Sequence, residues 1–216
     1  MIQRIKCGVG NAYIVSQGGS AILVDTGTAA FKRRILRACR GKNIRLVVLT
    51  HGHYDHAQNA AFLARELGVP VAMHPADVPL LGDILAEPLE GAHPVARLLI
   101  GILNLSTRAG FRWIGVFFRN KPFEAAIDLH DGFSFVDYGV EARAVALPGH
   151  TRGSIGVVAG DGLLAGDALT NLLPPPGKAA LYGDRAAVQE SAARVSAMGD
   201  MMVWFGHGKP AKNREW

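Results

Sequence analysis

Two short apolar runs, Ala12-Tyr13-Ile14-Val15 and Ala21-Ile22-Leu23-Val24, flank a Gly18-Gly19 pair. That pattern predicts a β-hairpin over 11–26, ending at Asp25-Thr26-Gly27. The period then changes. Phe31, Ile35 and Leu36 recur at helical spacing, while Arg33, Arg34, Arg37 and Arg40 fall mostly elsewhere on the wheel. Residues 29–40 therefore read as an amphipathic helix, stopped by Gly41. A buried strand follows over 45–50, then a helix over 57–67 that ends at Gly68, and a short strand over 69–73. The second half repeats the scheme. Strands are predicted over 133–136, 140–147, 154–159 and 163–165, a helix over 186–198 and a last strand over 202–205. Such clusters in two similar halves predict an α/β fold, with sheets packed together and helices outside.

Residues 76–125 break the scheme. They are apolar and predicted helical, but the uncharged run Leu98 to Thr107 is only ten residues. A membrane span needs about 20, so a transmembrane helix is rejected. Three readings stay open for this stretch: a lid over a binding site, an interface with a second copy in a homodimer, or an interfacial membrane element. Arg97, Arg108, Arg112 and Arg119 beside Trp113 permit peripheral membrane contact.

At 216 residues the chain is expected to form one domain, 1–216. Cys7 and Cys39 give no disulfide framework, and no signal segment precedes the strand-like start, so a cytoplasmic location is expected. The net charge of +5 suits an anionic partner, but the basic residues are scattered. A nucleic-acid partner is therefore not favoured.

The chemistry concentrates in His51-Gly52-His53-Tyr54-Asp55-His56, directly after the run Leu46 to Leu49. Imidazole and carboxylate both bind zinc, iron and manganese. His51 and His53, two apart in extended backbone, point the same way. Three more ligand-type residues end predicted strands beside a glycine: His150, Asp167 and His207. Strand ends are where α/β folds assemble sites.

The order His-x-His-x-Asp-His, then His, Asp and His, resembles the metallo-β-lactamase superfamily. Gly10-Asn11-Ala12-Tyr13, Leu23-Val24-Asp25-Thr26-Gly27, the run from Pro148 to Ser154, Gly166-Asp167-Ala168 and Gly206 to Pro210 resemble its further motifs. Residues 76–125 are not covered. The resemblance implies a four-layer αββα sandwich with two divalent metal ions, zinc first, with iron or manganese as alternatives. His51, His53 and His150 would hold one ion, Asp55, His56 and His207 the second, and Asp167 would bridge. Asp25 would orient the loop or a ligand histidine. Asp55 is a candidate for proton transfer as well as ligation. His74 is a candidate pocket residue, His130 reads as a turn residue, and His93 lies in the uncovered stretch.

Family members that cleave antibiotics generally lack the bridging Asp, so Asp167 argues against β-lactam hydrolysis. The ligand set resembles the glyoxalase II and lactonase branches, without the helical domain that glyoxalase II carries after the last ligand, since nine residues follow His207. The expected activity is attack by a metal-bridging hydroxide on a small, partly apolar ester, thioester or lactone. A phosphodiesterase or nuclease, and a mononuclear iron persulfide dioxygenase, are the alternatives.

Overall fold

The computed structural model describes residues 1–83, 86–92, 94, 97, 98, 100, 101, 123–173 and 175–216. Strands β1 (Ile2–Cys7), β2 (Gly10–Gln17) and β3 (Ser20–Val24) form an antiparallel meander. β4 (Ile44–Val48) and β5 (Val71–Met73) join β3 in parallel. β6 (Glu90–Gly91) lies outside this sheet, and β7 (Ile127–Asp128) closes it beside β5. The order is β1-β2-β3-β4-β5-β7.

The second sheet contains β8 (Ala142–Ala146), β9 (Ile155–Ala159) and β10 (Gly162–Gly166). Two small ribbons follow. β11 (Leu169–Thr170) pairs with β12 (Gly177–Lys178), and β13 (Leu181–Tyr182) pairs with β6. β14 (Met202–Phe205) runs parallel to β10, and β15 (Ala211–Lys212) covers its edge, giving the order β15-β14-β10-β9-β8.

Alternation along the central strands assigns the layers, because successive side chains point to opposite faces. Ile14, Leu23 and Val47 face Ile35 and Cys39 of α1 (Lys32–Cys39), together with Leu63. Their neighbours Val15, Ile22, Val24, Leu46 and Val48 face Ala144, Ile155 and Val157 of the second sheet. On its far side Val145, Leu163 and Phe205 pack with Ala192 and Val195. Helices, sheet, sheet and helix thus stack as four layers, and the expected α/β sandwich is observed. Strands buried on both faces read as continuous apolar runs, which is why the central ones were legible.

Three details differ from expectation. The helix expected over 57–67 is two pieces, α2 (Tyr54–Ala57) and α3 (Ala60–Leu67). Between them the Asn59 side chain donates to the carbonyls of Thr26, Gly27 and Thr28. The strand expected over 133–136 is instead an isolated bridge, Ser134 to Arg143, followed by a 3-10 turn, Val136–Tyr138. Gly139 there adopts φ +76°, which turns the chain back before any ladder forms. Third, the stretch 76–125 begins as part of the site's support. A 3-10 turn, Pro75–Asp77, leads into α4 (Val78–Gly82), and Leu80 packs against Gly52. Most of the later basic and aromatic residues, and His93, lie outside the described residues, as do the lid, interface and membrane readings that rest on them. No helix among the described residues is long and apolar enough to cross a membrane.

Candidate metal centre

Parallel pairing brings the ends of β3 and β4 to one edge. There Asp25 N donates to the Val48 carbonyl (2.8 Å), and Thr50 N donates to Asp25 Oδ1 (2.8 Å). His51 and His53 follow on the loop into α2, and His56 sits on α2. In the second sheet β10 ends at Gly166, next to Asp167, and β14 ends at Phe205, two residues before His207. His150 follows the β8 side. Asn11 zips the two sheets together at this edge, donating from Nδ2 to the carbonyls of Phe205 (3.0 Å) and Gly208 (2.9 Å).

All seven residues singled out in the sequence converge here. Potential ligand atoms of His51, His53 and His150 lie within 4.8 Å of one another. So do those of Asp55, His56 and His207, and those of His51, His56 and Asp167. Asp167 stands between the first two groups. Its Oδ2 is 3.8 Å from His150 Nε2 and 3.2 Å from His207 Nε2, and its Oδ1 is 3.5 Å from His56 Nε2. Asp55 Oδ2 is 3.3 Å from His207 Nε2.

Outer partners fix the ring orientations, which a ligand histidine requires. His56 Nδ1 donates to Asp25 Oδ2 (2.9 Å). His150 Nδ1 donates to the Leu181 carbonyl (2.7 Å) and His207 Nδ1 to the Val9 carbonyl (3.1 Å). The Thr50 hydroxyl donates to Asp25, so His51 Nδ1 donates to Thr50 Oγ1 (3.1 Å). Each of these four rings therefore keeps Nε2 free of a proton when neutral. His150 Nε2 lies 2.9 Å from His53 Nδ1.

The protein's own groups divide the cluster electrically. Burial, then neighbouring imidazoles, hold His51 well below its ordinary value and His53 at about 3. Burial also opposes charge on His56 and His207, but Asp167 and the other carboxylates outweigh it, raising them to about 9 and about 11. Burial likewise opposes charge on Asp55, yet His56 and His207 hold it at about 2. Asp167 is held well below the ordinary value, with His207 and His56 outweighing burial.

The residues fit a bound cation. His51 Nε2, His53 Nε2 and Asp167 Oδ1 are buried without a hydrogen-bond partner among the described residues. An unmet buried polar atom costs about 1–3 kcal/mol, and three in one cluster point to a ligand that would meet them. The donor set, imidazole nitrogen with carboxylate oxygen, suits zinc, iron or manganese.

The remaining candidates sort out as follows. Asp25 has the orienting position that was expected. His74 Nδ1 accepts from Ala76 N (3.1 Å), so it caps the following turn, and its ring meets that of His130 edge-on at 5.6 Å. Neither belongs to the three donor groups. Sequence reasoning missed Thr50 and Asp77. Thr50 was findable, since it joins strand β4 to His51.

The sequence profile of the metallo-beta-lactamase superfamily matches residues 5–207. An uncharacterized protein of Mycobacterium tuberculosis is 33% identical over 149 residues, 67% of this chain. The chain spans 58% of the length of that relative. A probable metallo-hydrolase of Bacillus subtilis is 22% identical over 96% of this chain and 84% of its own length. A hydroxyacylglutathione hydrolase of Anaeromyxobacter dehalogenans is 42% identical over 67 residues, 30% of this chain and 25% of that protein. Among solved structures, TTHA1623 in a di-iron-bound form superposes with TM-score 0.68 at 25% identity, covering 98% of this chain and 94% of that one. The B3 metallo-beta-lactamase BLEG-1 superposes at 0.71 with 21% identity over 98% and 94%, a likeness of fold. With the strand-end cluster of ligand-type residues and the profile match spanning both halves, the chain belongs to the metallo-beta-lactamase superfamily.

Proposed function

We propose that this chain is a dinuclear metal-dependent hydrolase of a small, partly apolar ester, thioester or lactone. His51, His53 and His150 would hold one ion, Asp55, His56 and His207 the second, and Asp167 would bridge them. The observation that carries this reading is the position of Asp167, whose Oδ2 lies between His150 Nε2 (3.8 Å) and His207 Nε2 (3.2 Å) while its Oδ1 faces His56 Nε2 (3.5 Å). A bridging carboxylate also argues against β-lactam cleavage, as the resemblance implied. Bound there, two divalent ions would lower the pKa of water toward neutrality and polarise the attacked carbonyl.

The chain's own groups complete the chemistry. His51 and His53 stay neutral and offer lone pairs without competition from protons. Asp55 is the most open of the ion-paired carboxylates in the cluster, with its side chain 20% exposed. In this reading it would take a proton at Oδ2 from an attacking water and return it to the leaving group. Exposed Val9, whose carbonyl holds His207, and Leu172, beyond Asn171, share a groove with Arg4, Lys6 and Lys209. The hydroxyacylglutathione hydrolase likeness supports a thioester, and the di-iron neighbour keeps iron beside zinc and manganese. Free thiols at Cys7 and Cys39 support a reducing compartment.

The test is a substrate panel on protein loaded in turn with zinc, iron and manganese. Hydrolysis of lactones or thioesters above bis-aryl phosphodiesters supports the reading. Cleavage of phosphodiesters alone, or oxygen uptake with a persulfide, overturns it.

A further inference from the structure

Asp77 is fully buried, at 0% exposure, in a turn capped by His74. Its carboxylate joins two loops that lie far apart in sequence. Oδ2 accepts from Gly52 N (2.9 Å) and from Thr151 Oγ1 (2.7 Å), and Oδ1 accepts from Gly153 N (2.7 Å). Gly52 separates His51 from His53. Thr151 and Gly153 directly follow His150. One carboxylate thus ties together the two loops that supply the first three imidazoles.

The glycines show how close the contact is. A Cβ at Gly52 would stand 2.6 Å from the Asp77 carbonyl oxygen, and one at Gly153 would stand 2.5 Å from Asp77 Oδ1. Real Cβ atoms do not approach that closely, so both loops need glycine where they meet Asp77. Asp77 belongs to none of the three donor groups. Its carboxylate is met by protein donors, and a buried polar network fully met in this way holds one geometry.

We propose that Asp77 is a positioning residue, which sets the separation between the His51–His53 pair and His150. Its effect on metal affinity rests on the dinuclear reading above; its effect on the separation does not. Loss of an outer partner of this kind lowers metal affinity by about 10- to 100-fold.

The experiment uses the full chain with Asp77→Asn, which keeps the shape but turns a donor toward the loops, and Asp77→Ala. Cobalt and zinc affinities are measured by chelator competition, cobalt spectra are recorded, and crystal structures of the chelator-treated variants are solved. The expected result is a loss of about 10- to 100-fold for one ion of the two with a shifted cobalt spectrum. In the variant structures the His53 Nδ1 to His150 Nε2 gap, now 2.9 Å, should open beyond roughly 3.5 Å, outside hydrogen-bond range. A lower melting temperature with wild-type affinities and spectrum overturns the proposal, as does equal weakening of both ions. An unchanged gap overturns it even if the wild-type chain takes up no metal, a failure that counts against the hydrolase reading alone.

Discussion

Asp25 Oδ2 lies 2.9 Å from His56 Nδ1, and the same carboxylate accepts from Thr50, which in turn holds His51. One buried carboxylate therefore aims one imidazole of each triad. It does so from a left-handed backbone, φ +59°, the one positive φ outside glycine among the described residues. Aspartate tolerates that region better than most side chains, and such conformations cluster at functional sites. Asp25→Asn should keep the backbone but lower metal affinity by about 10- to 100-fold, read by chelator competition. Asp25→Ala should also destabilise the fold by about 3–5 kcal/mol, because His56 is left buried without its acceptor. Wild-type affinity in both variants would reduce Asp25 to a turn residue.

Gly206 offers a second way to disturb Asp167. A Cβ there would collide with Asp167 Oδ1 and stand 2.7 Å from the His56 ring. Gly206→Ala should push the carboxylate aside and cost about 1–3 kcal/mol through overpacking. Activity should drop steeply in parallel with Asp167→Ala, for which a loss of about 100-fold or more is expected from a damaged Lewis-acid site. Full activity in Gly206→Ala, measured at saturating metal, would mean that Asp167 need not stand between the triads.

The pH dependence of stability has a definite sign in chelator-treated protein. His56 and His207 have folded pKa values raised from 6.5 to about 9 and about 11. The fold holds those protons more tightly than the unfolded chain, so their contribution is full below pH 6.5 and lost as pH rises through about 9 and then about 11. Asp55 is depressed from 3.8 to about 2, so its contribution is present above 3.8 and lost as pH falls through about 2. His53 is depressed from 6.5 to about 3. Below pH 6.5 the unfolded chain takes a proton that the fold refuses, so stability declines from 6.5 toward 3. Urea unfolding should place the maximum near pH 6.5, with stability falling from there toward about pH 9 and beyond. Metal displaces the protons on His56 and His207, so the alkaline decline should shrink on loading. An equal decline with and without metal would contradict this assignment.

A control separates fold from site. Asp184 Oδ1 caps α5 (Arg185–Ser196) by accepting from Ala186 N (2.8 Å) and Ala187 N (3.1 Å). Asp184→Ala should cost about 1 kcal/mol, or about 2–4 °C in Tm, with metal affinity unchanged. A coupled loss of affinity would show that stability alone sets the site.

The seven donors were legible because they occupy short motifs at strand ends, and the central strands because both of their faces are buried. Asp77 was not legible. Its partners lie 25, 74 and 76 residues away, and no periodicity encodes such a link. It also sits in the stretch set apart as unlike the family. The false strand at 133–136 arose from alternation alone. Phe135 is buried and Val136 exposed, yet the chain makes one bridge there and turns. Periodicity reports which side chains are inward, not whether a neighbouring strand is present to pair.

The central claim is that two ions share Asp167. Elemental analysis of the chain purified without added metal tests it most directly. The account predicts two zinc, iron or manganese ions per chain. One iron per chain that consumes oxygen with a thiol or persulfide would contradict it.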